Sequence, residues 1–114
     1  MILLRFGALL VTTVPAFSFA ADDEERQFFE QKIRPVLVEH CYSCHSNQAV
    51  DAKKLKGELL LDSAAGLAAG GESGAVLVKG KSAESLLIKA LMYEGIEMPP
   101  SGKLSAETVA DFGK

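Results

Sequence analysis

The chain has 114 residues, of which 48% are hydrophobic and 24% charged, and its formal net charge is −3. This length is enough for one domain. The mild acidity and the lack of a long basic block argue against a nucleic-acid-binding protein. Two cysteines are too few for a disulfide-stapled scaffold. Only 7% of the residues are aromatic, so we expect another group to help fill the centre of the domain.

The first twenty residues have the pattern of a secretory signal peptide. Arg5 precedes an uncharged run over residues 6–21, and Ser18 and Ala20 provide the small-x-small pattern of a cleavage site. We predict cleavage after Ala20 and export to the periplasm or the cell envelope. The alternative is a retained membrane anchor, but the run of 16 residues is shorter than the ~20 that a spanning helix needs.

The mature sequence, residues 21–114, predicts a small all-α domain. Apolar residues recur at helical spacing in three segments, and we expect helices at about 23–39, 82–93 and 105–114. Pro35 interrupts the first segment and predicts a kink or a restart of the helix. A further short helix is expected to begin near Ser63 and to end at Gly70.

The most specific motif is Cys41-Tyr-Ser-Cys-His45, which follows the first predicted helix directly. Cys-x-x-Cys-His is the attachment signal of c-type haem. The two thiols can each reach one vinyl group of the same porphyrin, and the imidazole that follows can bind the iron as its proximal ligand. The motif therefore predicts one covalently attached haem c, held by Cys41 and Cys44, with His45 as an iron ligand.

Three other interpretations use the same residues. A redox-active disulfide usually accompanies a thioredoxin-like βαβ pattern, which the sequence lacks. A zinc site has four candidate ligands in His40, Cys41, Cys44 and His45, but these are crowded into six residues, unlike the separated ligand pairs of zinc folds. A structural disulfide between Cys41 and Cys44 would close almost no loop and would stabilise little.

A second axial ligand would complete the coordination of the iron, and Met98 is the predicted one. Methionine and histidine are the usual choices in electron carriers. Met98 lies in a loop stiffened by two prolines, whereas Met92 lies on a helical apolar face and is expected to fill space in the core. His40 is the next candidate, although it stands immediately before Cys41.

Three lysines after the motif, Lys53, Lys54 and Lys56, form a basic patch that could steer a redox partner protein. A solvated loop surface is the favoured explanation, because only three charges are involved. The acidic and hydroxyl residues elsewhere form no visible catalytic pair or triad, so the chain is not expected to be an enzyme. Any catalytic activity would reside in domains outside this sequence.

Five segments of the sequence resemble the planctomycete-type cytochrome c domain. They are Phe28 to His45, Lys54 to Ser63, Gly70 to Gly74, Ser82 to Leu91 and Glu97 to Pro100. The resemblance covers nearly all of residues 28–112. It implies a class I cytochrome c-like fold wrapped around one haem, with covalent attachment at Cys41 and Cys44, His45 as the proximal ligand and Met98 as the distal ligand.

The resemblance also implies an N-terminal module of a larger exported protein, because the domain commonly stands at that position. The sequence stops where the family's final helix usually continues, so we expect this helix to be truncated. The predicted function is one-electron transfer through the haem. The alternatives are a haem-based sensor or docking domain and, in a different class, a haem-free thiol oxidoreductase.

Overall fold

The computed structural model describes residues 10–15 and 20–114, and the predicted signal peptide falls mostly outside them. In these residues the chain forms helices joined by long loops. In chain order the helical elements are α1 (Ala20–Phe28), a π-helical segment (Phe29–Ile33), α2 (Arg34–His40), α3 (Asn47–Asp51), α4 (Ala64–Ala69), a 3-10 turn (Ser82–Glu84), α5 (Leu86–Leu91) and α6 (Ala106–Phe112). The described residues contain one isolated bridge, between Gly71 and Gly74, and no strand. The all-α prediction is confirmed.

The first helical stretch restarts at Pro35, as predicted. Proline has no N–H to donate, and its ring crowds the preceding turn. The preceding residues widen into the π-helical segment, and the Arg34 amide donates to the Phe29 carbonyl. The Arg34 guanidinium also donates twice to the Glu30 carboxylate, at 2.7 and 3.0 Å. This bidentate pair bridges the junction between the π-helical segment and α2.

The apolar core next to this stretch is small. Ile33, Leu37 and Leu61 are its buried centre. Partly buried apolar side chains pack around them, namely Phe28, Phe29, Cys41, Tyr42, Leu59, Leu67 and Phe112. Phe112 belongs to α6, so the core joins the first and last helices of the chain.

Helix α3 was not predicted from the sequence. Its cap is Ser46, whose buried hydroxyl accepts from the Ala49 amide and donates to the Tyr42 carbonyl. A segment of five residues is too short to show an apolar periodicity. A serine directly before it was the available signal.

The predicted helix at 82–93 forms in two pieces. Ser82 begins only a 3-10 turn, and α5 starts after Ser85. The buried Ser85 hydroxyl does not cap α5, because it accepts from the Val78 amide and contacts the Lys81 carbonyl. Ser85 stands at the N-cap position of α5, but its hydroxyl stabilises the preceding loop instead of the helix. The helix predicted at 105–114 runs over Ala106–Phe112, with Ser105 as its cap.

The short helix near Ser63 is confirmed as α4, which Ser63 caps and Gly70 ends. Gly70 has a φ of +70°, which favours glycine. Gly71 serves a different purpose, because its backbone lies against Gly57 and the Glu72 amide donates to the Gly57 carbonyl at 2.8 Å. The close approach of these two loops leaves no room for a side chain at Gly71.

In residues 10–15 and 20–114, every helix is too short or too polar to cross a membrane.

The Gly71→Ala substitution should lower the free energy of unfolding by about 1–3 kcal/mol, the usual penalty of overpacking. A Cβ at this position would collide with the Gly57 carbonyl oxygen and lie 3.1 Å from the Leu59 Cβ. Thermal unfolding of the haem-loaded protein measures the change. Gly113→Ala is the matched control, because its Cβ would come no closer than 3.3 Å to another atom. Equal losses in the two variants would contradict the steric explanation.

Candidate functional site

A cavity of about 640 Å³ opens between the loop that follows α2 and the end of α5. Its volume lies within the range of small-molecule and cofactor sites. The four residues predicted to bind haem, Cys41, Cys44, His45 and Met98, all line it. The remaining wall is largely apolar and includes Leu59, Leu61, Val76, Leu86, Leu87, Ala90, Leu91 and Ile96.

The Cys41–His45 motif forms a helical turn at the C-terminus of α2. The Cys41 and Tyr42 amides both donate to the Leu37 carbonyl at 2.9 Å. The Cys41 carbonyl in turn accepts from the Cys44 amide at 3.2 Å and from the His45 amide at 2.9 Å. Residues three and four apart share one face of a helical turn, so Cys41, Cys44 and His45 lie together on the cavity side.

The orientation of His45 is set by its ring nitrogen Nδ1, which lies 3.2 Å from the Leu59 carbonyl oxygen. A carbonyl oxygen can only accept a hydrogen bond, so in the neutral ring the proton lies on Nδ1 and Nε2 keeps its lone pair. Metal-binding histidines are commonly oriented by such a bond to a backbone carbonyl. The contact therefore prepares Nε2 to act as a ligand.

The segment that supplies the Leu59 carbonyl is itself bonded to the motif. The Lys56 amide donates to the Cys44 carbonyl at 3.0 Å, and the Leu61 amide donates to the His45 carbonyl at 2.9 Å. Together with the His45 ring contact, these bonds hold residues 56–61 beside the motif. Leu59 and Leu61 then form part of the apolar wall.

Met98 approaches the cavity from the loop after α5. It is half-buried, and its amide donates to the Ala90 carbonyl at 3.1 Å. The next residue, Pro99, is buried, and its carbonyl accepts from the Tyr93 hydroxyl. The loop is thus attached at two places, to the last turn of α5 and to the residue that follows its C-cap.

Charged groups are few at the cavity. Glu39, His40, Lys56 and Glu72 line it, and the His40 Nε2 is 3.7 Å from the Glu39 carboxylate. Of the three lysines of the predicted basic patch, only Lys56 reaches the cavity; Lys53 and Lys54 are exposed in the adjacent loop. His40 ends α2 and is partly buried.

No disulfide joins Cys41 and Cys44, and burial raises the pKa of the Cys41 thiol to about 11. Thiol oxidoreductases depend on a cysteine whose pKa is lowered, because the thiolate is the nucleophile. Cys41 has the opposite environment.

The zinc interpretation finds no structural support. In the part of the chain that the structure describes, no group of three or more His, Cys, Asp or Glu side chains is arranged to hold a metal ion. Although His40, Cys41, Cys44 and His45 lie within six positions of sequence, their side chains do not form a four-ligand metal site.

Met92 was predicted to fill space in the core, and this prediction is wrong. Its side chain is 48% exposed, because α5 ends at Leu91 and Met92 follows the last helical turn. The Leu59 carbonyl and the Tyr93 hydroxyl were not predicted as parts of the site. Backbone carbonyls carry no sequence signal, and a tyrosine near the end of a predicted helix does not indicate which loop carbonyl its hydroxyl bonds.

The donor set and its surroundings fit a c-type haem. Two thiols and an imidazole come from one helical turn, a thioether comes from a separate loop, and apolar side chains form most of the wall between them. The protonated Nδ1 of His45 leaves the other ring nitrogen for the iron.

Comparison with protein families gives one match, to the model described as Planctomycete cytochrome C, over residues 41–102. Neither the comparison with curated proteins nor that with solved structures gives a match. The matched range begins at Cys41 and includes Met98, and it spans more than half of the 114 residues. The chain belongs to the planctomycete cytochrome c family and is a haem-binding cytochrome module.

Proposed function

We propose that this module transfers one electron at a time through a covalently attached haem with histidine and methionine axial ligands. The observation that carries the proposal is the convergence of Cys41, Cys44, His45 and Met98 on one cavity with mostly apolar walls. A haem c bound there would supply a one-electron ferric–ferrous couple. The protein's contribution is to bind, orient and shield it.

Each of the four residues has a distinct proposed role. Cys41 and Cys44 provide the thioether attachments, and their positions on one helical turn support this assignment. His45 provides the proximal nitrogen, with the Leu59 carbonyl fixing the ring through Nδ1. Met98 provides the distal thioether, with its backbone bonded to Ala90.

The apolar wall would shield a bound haem from water. Leu61, Val76 and Leu91 are buried, and each contributes to the cavity lining. A dry environment and a methionine ligand are two of the means by which a protein sets a haem potential. Both features favour a carrier that keeps its ligands while its oxidation state changes.

We further propose that residues 21–114 form the cytochrome domain and that residues 1–20 direct its export. Covalent haem attachment at a Cys-x-x-Cys-His motif fits an exported protein, and the uncharged run before Ala20 fits a signal peptide. The partner is a redox protein that reaches the cavity edge. The exposed Lys53 and Lys54, beside the cavity-lining Lys56, offer such a partner a basic surface.

The sensor alternative differs only in the distal ligand, which a sensor would have to release. The thiol oxidoreductase alternative is disfavoured by the raised pKa of Cys41. Electron transfer is therefore the function that the site supports best, and the stability of the Met98 ligand is the property that distinguishes it from sensing.

Attachment is tested by substituting the two cysteines. Cys41→Ala or Cys44→Ala alone should leave at most one thioether bond, and the double variant should retain no covalent haem, because no further cysteine is present. Denaturing gel electrophoresis with haem staining makes the measurement after export in a host that attaches haem c. Haem staining of the double variant would refute covalent attachment through this motif.

The distal ligand is tested by Met98→Ala. In the ferric protein this change should remove the thioether-to-iron absorption band at the red end of the spectrum, open the site to cyanide, and lower the reduction potential. Met92→Ala is the matched control, because Met92 is half exposed and does not line the cavity. A spectrum that changes with Met92→Ala and not with Met98→Ala would reverse the assignment.

The haem should also be needed for folding. Only eight hydrophobic residues and Pro99 are buried in residues 10–15 and 22–114, which is a small core beside a cavity of about 640 Å³. A group that binds only the native state stabilises it by linkage. We expect haem-free protein to lose its cooperative thermal transition in circular dichroism. A haem-free transition close to that of the loaded protein would show that the chain folds without haem.

A further inference from the structure

The loop that carries Met98 depends on the residues that end α5. The Ala90 carbonyl accepts both the Tyr93 amide and the Met98 amide, each at 3.1 Å. The Tyr93 side chain then reaches across to the Pro99 carbonyl and donates its hydroxyl proton there. One backbone bond and one side-chain bond therefore fasten the two residues 98 and 99 to the same helix end.

Tyr93 occupies a backbone conformation that few residues other than glycine adopt. Its φ is +61°, in the left-handed region. This conformation directs the chain away from the axis of α5. The ring is half-buried, and the Lys103 ammonium lies 5.5 Å from its centre. The ring is thus covered on one side, and the hydroxyl bond links it to the loop.

We propose that Tyr93 is a positioning residue for Met98: its hydroxyl, bonded to the Pro99 carbonyl, holds the loop so that the thioether stays at the cavity. This inference rests on the proposed ligation of haem iron by Met98. Tyr93 does not line the cavity, so its effect passes through the backbone next to Met98.

The physical need for such a bond lies in the weakness of the ligand. The thioether sulfur of methionine is neutral and donates its electron pair only weakly to a metal. The conformational preference of the loop therefore decides how readily an outside ligand replaces the thioether. Removing one loop hydrogen bond shifts this competition by an amount comparable to the net strength of that bond. The shift is measurable as a change in affinity for a competing ligand.

The experiment titrates the ferric, haem-loaded protein with imidazole and follows the main haem absorption band in every variant, together with the thioether-to-iron band where Met98 is present. Tyr93→Phe keeps the ring and removes the hydroxyl. It should raise the apparent affinity for imidazole about 2- to 10-fold. Ser105→Ala is the control, because it removes a hydroxyl that caps α6 and does not line the cavity. It should leave the affinity unchanged.

A double-variant cycle separates positioning from general loosening of the domain. In a Met98→Ala background there is no thioether to hold, so adding Tyr93→Phe should not change the imidazole affinity further. A purely structural role for Tyr93 would change the affinity equally in both backgrounds, and that result would overturn the inference.

Two other results distinguish the inference from the function on which it rests. If Met98→Ala raises imidazole affinity and Tyr93→Phe does not, Met98 is the ligand and the role of Tyr93 is refuted. If Met98→Ala leaves both the red band and the imidazole affinity unchanged, the proposed ligation fails, and the positioning role fails with it.

Discussion

The site depends on one helical turn, in which the Cys41 carbonyl accepts the amides of both Cys44 and His45. This turn is an extension of α2, since the Leu37 carbonyl accepts the amides that begin it. The direction of the motif therefore depends on the direction of α2. That helix restarts at Pro35 and packs into the small core through Leu37. Any change that rotates α2 also rotates both thiols and the imidazole relative to the rest of the cavity wall.

The two sides of the cavity are built in different ways. On the His45 side, residues 56–61 are bonded to the motif through two backbone bonds and the His45 ring. On the Met98 side, the loop is held by the end of α5 through Ala90 and Tyr93. The first side belongs to a continuous network around the motif, whereas the second is a separate element. The family match includes both sides, because it extends from residue 41 to residue 102.

The sequence was sufficient to predict the all-α class, the restart at Pro35, α4 and the family. Each of these has a local signal, such as a proline, a serine cap or a fixed cysteine spacing. It was insufficient for α3, for the division at Ser85 and for the exposure of Met92. Helix α3 is too short to show a periodicity, and Met92 is exposed because it follows the end of α5. The division at Ser85 depends on a loop contact, because the Ser85 hydroxyl bonds Val78, seven positions away, and no spacing rule predicts that contact. The Leu59 contact with His45 is of the same kind, because any residue can present a carbonyl.

The asymmetry between the two sides bears on function. A histidine that is fixed by both its own turn and a carbonyl partner has little freedom to move, so the His45 side of the cavity stays constant. Met98 lies on a loop that two hydrogen bonds hold, so how firmly its side chain stays at the cavity depends on those bonds. A carrier benefits when the loop is held firmly, because its coordination then stays the same in both oxidation states. A sensor needs a loop that releases its ligand. The same cavity suits either function, and under the proposed ligation the contacts at the end of α5, rather than the Cys41–His45 turn, decide between them.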